Sequence, residues 1–251
     1  MFGAHAAFAA AILTIGCGGS GTARKSEVRV AAAANLTEVF QKAGPQFEAE
    51  TLIHPVFSFG STGQLAQQIE NSAPFDLIAA ADSRHLDALQ NRGLLAPGSR
   101  VPYAQGVLAL WVPPNSRAAV DNINGLSRPD VRVIAIAKPE LAPYGLASVE
   151  ALRRAGIWER VKSKIVYAEN ISMAKQYGVS GNADAVFTAY SLVFREQGRI
   201  LTVPENLYDP IRQELAIIAG AANAEQARRF ATFLTAGKGR EVLRAYGYRS
   251  P

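Results

Sequence analysis

The sequence of 251 residues has one cysteine, Cys17, and only three histidines. A single cysteine excludes an internal disulfide and a cysteine-based metal site. His5, His54 and His85 stand far apart without ligand spacing, so a histidine metal centre has no support. Charge is sparse, at 19% of residues, and basic residues never run longer than pairs such as Arg24-Lys25, Arg153-Arg154 and Arg228-Arg229. A nucleic-acid binder concentrates its charge on one stripe. The net charge of +5, spread as it is, suits a solvated surface with a mild pull on small anions. Walker loop, Gly-x-Ser-x-Gly elbow and any workable Ser/His/Asp set are all missing, so no enzyme class is indicated. There is no repeat of fixed period, and no low-complexity tract beyond residues 17–26.

What is present is enough apolar residue, 49%, to bury a full core. The length suits one large domain or two lobes of roughly 100 residues each. The first sixteen residues carry no Lys, Arg, Asp or Glu, and Phe8–Gly16 is apolar or small, with Cys17 next. That run is short for a membrane span. It resembles a bacterial lipoprotein signal in which Cys17 becomes the lipidated first residue. It departs in lacking a basic start and in having Thr14 where Leu is usual. A cleaved export signal with an incidental cysteine is the alternative. Residues 1–26 are therefore read as signal and linker.

The remainder alternates strand and helix. Strand patterns fall at Val28–Ala32, Leu52–Phe57 and Phe75–Ala80, with helical spacing at Leu36–Glu50, Gln64–Asn71 and Ser83–Arg92. Pro45 is a predicted kink in the first helix. This βαβαβα order predicts a parallel sheet flanked by helices. Two extended runs around Gln105-Gly106 read as a crossing into a second α/β set. That set has strands at Arg132–Ala137, Lys164–Tyr167, Ala185–Thr188 and Ile200–Val203, and helices at Tyr144–Ala155 and Ser172–Ser180. Leu215–Ala219 is a late strand expected to pair with Val107–Val112. The helical tail, Ala224–Thr235 and Lys238–Tyr246, is expected to return to the first lobe. The expected division is lobe 1 at 27–104 plus 222–251 and lobe 2 at 105–221. Two lobes joined by two crossings form a scaffold that closes on a small ligand.

Four segments share one pattern: strand, then small or hydroxyl residues, then a helix start. They are Val28–Thr37, Val56–Leu65, Ala137–Leu146 and Ile165–Met173. A helix start leaves free N–H groups and a partial positive charge, so it can hold an anion without a cationic side chain. Each element alone has a plainer reading. Ser61 within Gly60-Ser61-Thr62-Gly63 is a natural N-cap, Tyr144 a packed aromatic, Ile171 a core residue, and Asp76 and Asp82 turn acids.

Taken together these residues resemble a known family. Ala33-Ala34-Asn35-Leu36-Thr37, Phe59-Gly60-Ser61-Thr62-Gly63, Ala73–Asp82, Pro139-Glu140, Pro143-Tyr144-Gly145, Ala168-Glu169-Asn170 and Ala245–Tyr248 match the periplasmic molybdate-binding proteins of ABC transporters. The resemblance covers residues 28–251. It implies a type II periplasmic-binding-protein fold: α/β, two lobes, each a mostly parallel sheet flanked by helices, with two hinge crossings. It also implies a non-enzymatic protein, without cofactor or direct cation ligands, that delivers molybdate or tungstate to a membrane permease. Sulfate, thiosulfate or another small oxyanion is the alternative ligand. Hydroxymethylbilane synthase shares such a fold but anchors its cofactor on a cysteine, absent here outside the leader.

By the same resemblance, Asn35 supplies a side-chain and backbone donor and Ala34 a backbone N–H. Ser61 supplies a hydroxyl, and Tyr144 and Ile171 backbone N–H groups. Many members carry a tyrosine hydroxyl ligand where this chain has Thr188, with Tyr190 two residues on. Thr188 contact, Tyr190 contact and one donor fewer all stay open. The protein is expected as a monomer in the periplasm or on the outer face of the cell membrane, anchored there through Cys17.

Overall fold

The computed structural model describes residues 26–251. The signal region and Cys17 lie outside the described residues. In chain order the strands are β1 Glu27–Ala33, β2 His54–Gly60, β3 Leu77–Ala80, β4 Val101–Gly106, β5 Leu108–Val112, β6 Ile134–Ala137, β7 Ile165–Ala168, β8 Ala185–Ala189, β9 Arg199–Thr202 and β10 Ile211–Ile217. The helices are α1 Thr37–Thr51, α2 Thr62–Glu70, α3 Arg84–Asn91, α4 Pro143–Arg154, α5 Trp158–Val161, α6 Ile171–Val179, α7 Ala224–Ala236 and α8 Lys238–Ala245.

Two five-stranded sheets result, in the orders β2-β1-β3-β10-β4 and β7-β6-β8-β5-β9. Both are mixed rather than mostly parallel. In the first, β1 runs parallel to β2 and β3, while β10 runs antiparallel to β3 and β4. In the second, β6 runs parallel to β7 and β8, while β5 runs antiparallel to β8 and β9. The helical connections β1–α1–β2 and β6–α4–β7 enforce the parallel pairs.

One expected pairing is corrected. The late strand is β10, and it joins the first sheet, with Leu215 opposite Ala79 and Arg212 opposite Gln105. Its sequence, with Leu215, Ala216 and Ile217 all buried, suits an inner strand of either sheet. Local pattern therefore does not choose the partner. Strand β5 is flanked instead by β8 and β9. The residues 211–217, assigned by sequence to the second lobe, thus belong to the first sheet. The chain crosses twice between the sheets, at Val107 and between Thr202 and Ile211, and the crossings lie side by side. Val203 N–H donates to Leu108 O at 3.0 Å, and Leu108 N–H to Tyr208 OH at 3.3 Å.

The tail packs on the first lobe through aromatic rings. Phe230 of α7 meets Phe40 and Phe47 of α1 edge-on, with centroids 5.5 and 5.0 Å apart. All three rings are fully buried. Each such burial stabilises by about 1.5–3 kcal/mol, and edge-to-face pairing adds about 0.5–1.5 kcal/mol. Pro45 sits inside α1 without ending it.

Candidate functional site

The carboxyl ends of β1, β2, β6 and β7 point into one crevice between the sheets, the place where open α/β sheets bind ligands. A small void of about 10 Å³ lies there. Its lining comes from the β1 end (Ala33, Ala34, Asn35), the start of α2 (Gly60, Ser61, Thr62) and Ala81 after β3. The second lobe adds the start of α4 (Ala142, Pro143, Tyr144) and the start of α6 (Asn170, Ile171). Five of the six sequence-predicted oxyanion-site residues therefore meet: Ala34, Asn35, Ser61, Tyr144 and Ile171. Among the described residues, no Lys, Arg or His lines the void.

Each helix start is built differently. Ser61 is the N-cap of α2, extended at φ −67° and ψ 149°, in a capping box with Gln64. Asn170 caps α6 by accepting from Met173 N–H at 3.0 Å. Ala142 precedes α4 without any side-chain cap, and Pro143 at the first position presets the helical φ. The short turn Ala34–Leu36 likewise has no side-chain cap. First-turn N–H groups have no carbonyl within their own helix to donate to. Tyr144 and Ile171, in the first turns of α4 and α6, line the void.

Side-chain donors are engaged differently from the sequence expectation. Ser61 Oγ donates to Gln64 Oε1 at 2.8 Å, and Ser61 N–H to the same oxygen at 3.2 Å. Gln64 Nε2 donates to Glu169 Oε2 at 3.1 Å, and Glu169 is paired with Lys138, both half-exposed. Asn35 gives both amide hydrogens to buried partners, Gln213 Oε1 and Tyr248 OH, each at 2.8 Å.

Thr188 is the exception to the convergence. It is fully buried on β8 opposite Ala109, outside the void, and its Oγ1 donates to Ile171 O at 3.4 Å. The strand register aims it at the first turn of α6 rather than at the crevice. Tyr190 does not line the void either; its ring stacks near Phe194 at 5.9 Å. Asp76 and Asp82 are turn acids. Asp76 accepts from Arg29 N–H at 2.8 Å and Asn223 N–H at 2.9 Å, and Asp82 from His85 N–H at 3.2 Å.

The two lobes touch through many polar contacts around the void. Gly63 N–H donates to Leu141 O at 2.9 Å and Ser172 Oγ to Ala34 O at 3.1 Å. Lys175 Nζ bridges Glu38 at 2.9 Å and Glu196 at 2.7 Å. Burial depresses the Lys175 ammonium, but its hydrogen bonds to Glu196 and Glu38 outweigh it and hold its pKa above the ordinary lysine value. Burial also pushes the Tyr103, Tyr144 and Tyr248 phenols up, so all three stay neutral well into the alkaline range. The sequence pattern assigned no site role to Thr62, Gln64, Gln213 or Tyr248. Thr62 and Gln64 lie in the same helix start as Ser61 and could have been found by position, whereas Gln213 and Tyr248 arrive from distant segments.

A two-lobed α/β scaffold with a crevice of neutral donors defines a protein that binds small solutes between its lobes. The comparisons with known proteins agree, and the chain belongs to the bacterial extracellular solute-binding protein family, whose model matches residues 28–249. It is 37% identical over 232 residues to the molybdate-binding protein of Azotobacter vinelandii, covering 90% of this chain and 91% of that one. It is 35% identical over 227 residues to the molybdate-binding protein of Rhodobacter capsulatus, covering 90% and 89%. The solved Azotobacter vinelandii periplasmic molybdate-binding protein superposes with a TM-score of 0.84 at 32% identity, covering 89% of this chain and 99% of that one.

Proposed function

We propose that this protein captures molybdate or tungstate outside the cytoplasm and delivers it to the membrane permease of an ABC transporter. One observation carries the reading: helix starts from both lobes converge on one void that no cationic side chain lines among the described residues. The relatives named as molybdate-binding proteins support the choice of anion.

Hydrogen bonds to a charged acceptor contribute about 1.5–3 kcal/mol each. Five or six of them give a gross term on the order of 8–18 kcal/mol, reduced by association and desolvation costs. Micromolar to nanomolar binding, about −8 to −12 kcal/mol, follows. Donors without acceptors favour a fully ionised oxyanion over one that keeps a proton, which disfavours phosphate near neutral pH. The ligand donors in this reading are the N–H groups of Ala34, Asn35, Tyr144 and Ile171 and the hydroxyl of Ser61. Thr188 acts one step back, through Ile171. The protein works as a monomer, without cofactor or catalytic step, tethered to the membrane surface through lipidated Cys17.

Calorimetry with molybdate, tungstate, sulfate and phosphate tests the reading. Molybdate and tungstate should bind at least about a hundredfold more tightly than phosphate. Preference for sulfate would transfer the site to another oxyanion, and silence toward all four would end the proposal.

A further inference from the structure

Gln213 of β10 is fully buried and polar at the junction of the lobes. Its Oε1 accepts from Asn35 Nδ2 and from Tyr103 OH, both at 2.8 Å. Its Nε2 donates to Tyr144 OH at 3.0 Å. Gln213 therefore touches one site residue from each lobe. Gly106 makes the approach possible, because a Cβ there would collide with Tyr144 OH and lie 2.6 Å from Gln213 Nε2.

In this arrangement Asn35 offers the void no amide hydrogen. Its Oδ1 has no partner among the described residues. An acceptor oxygen beside the void repels an oxyanion. The same heavy-atom positions fit a second set of hydrogen bonds, complete except for the Asn35 NH2. If both carboxamides turn over, Gln213 Nε2 donates to Asn35 Oδ1 and to Tyr103 OH. Tyr103 passes its hydrogen to Ala80 O, 3.1 Å away. Tyr144 OH donates to Gln213 Oε1. Tyr248 OH turns its hydrogen to Asn35 Oδ1, and Ser191 Oγ stays on Asn35 O at 3.2 Å. Every group except the Asn35 NH2 keeps a bond, and that NH2 exchanges Gln213 Oε1 and Tyr248 OH for the void, where a bound oxyanion would accept from it. Turning only one amide sets oxygen against oxygen or NH2 against NH2, at 2.8 Å. The two must move together.

We infer that Gln213 is the positioning residue that sets the sense of the Asn35 amide, and that a bound oxyanion reverses both amides as a pair. The inference rests on the oxyanion reading of the site. It assigns Gln213, which touches no ligand, a role in selecting anions over uncharged solutes.

Side-chain amide ¹H–¹⁵N spectra of the full chain, titrated with sodium molybdate, test it. The Asn35 and Gln213 NH2 signals should both shift with one midpoint, matching that of the Tyr144 and Ile171 backbone signals. Backbone signals that shift while both side-chain signals stay fixed would overturn it. A double-mutant cycle gives a second readout. Gln213→Met should weaken molybdate binding roughly fivefold or more in the parent, and less than about twofold in an Asn35→Ala background. Fully additive losses, with both variants folded by thermal melt, would overturn it as well. A parent protein that binds neither molybdate nor tungstate would contradict the functional reading itself, and this inference with it.

Discussion

Ser61 directs two donors, its N–H and its hydroxyl, at one atom, Gln64 Oε1, 3.2 and 2.8 Å away. The amide oxygen occupies the place an anion oxygen needs in order to use Ser61. A bound oxyanion must displace it. Displacement also releases Gln64 Nε2 from Glu169, a bond between partly exposed groups that is worth little. Gln64→Ala should therefore tighten molybdate binding, by roughly 2–10-fold, while loss of the capping box lowers folding stability by about 1 kcal/mol. Calorimetry alongside a thermal melt separates the two effects. Weaker binding would show that Gln64 assists the anion instead.

Ser61→Ala should weaken molybdate binding by about 1–3 kcal/mol, the value of a hydrogen bond to a charged acceptor. Thr188→Val should cost less, because Thr188 reaches only Ile171 O. Side-by-side titration decides between the two positions. An equal or larger loss at Thr188 would place its hydroxyl in the void after all.

Closure of the lobes brings Gly63 against Leu141. A Cβ on Gly63 would lie 3.0 Å from Leu141 Cα and 3.1 Å from Leu141 O, both backbone atoms of the other lobe. Gly63→Ala should hold the lobes apart and weaken binding by about 1–3 kcal/mol, the usual cost of overpacking. The loss should appear as faster ligand release in stopped-flow traces, since the lobes must still meet to trap the anion. Unchanged release would mean that closure tolerates the extra methyl.

Binding and stability should respond to pH in different windows. Among the described residues, Tyr144 is the only titratable side chain lining the void, and burial keeps it neutral. Molybdate affinity should thus stay flat from about pH 6 to about pH 9. The raised tyrosines act as follows: below the ordinary phenol value both folded and unfolded chains hold the proton, and stability is full. Above about pH 10 only the unfolded chain releases it, so stability falls as pH rises. Lys175, also raised, gives the same sign above its ordinary value of 10.5. Chemical denaturation across that range checks the fall. A steep affinity change between pH 6 and 9 would point to a titrating ligand group.

Much of this was legible in the sequence because it is local. Asn35, Ser61, Tyr144 and Ile171 each follow a strand and open a turn or helix, and those signals lie within ten residues. The crevice then follows from parallel strands sharing one end. What could not be read is long-range. Gln213 reaches Asn35 across 178 residues with nothing near it to mark the meeting, and Tyr248 reaches it across 213 residues from a segment whose resemblance says nothing of this contact. The partner of β10 was misjudged for the same reason, since an apolar strand fits either sheet. Sequence left Thr188 contact, Tyr190 contact and one donor fewer open, because side-chain direction depends on register, and a shift of one residue turns a strand residue to the opposite face.

The most direct measurement is isothermal calorimetry of the full chain with molybdate at neutral pH and at two salt concentrations. Neutral backbone donors in a buried void should give micromolar or tighter binding that changes little with ionic strength. Binding that collapses as salt rises would mean exposed cationic side chains hold the anion. The absence of any heat would mean that the converging helix starts do not form an anion site at all.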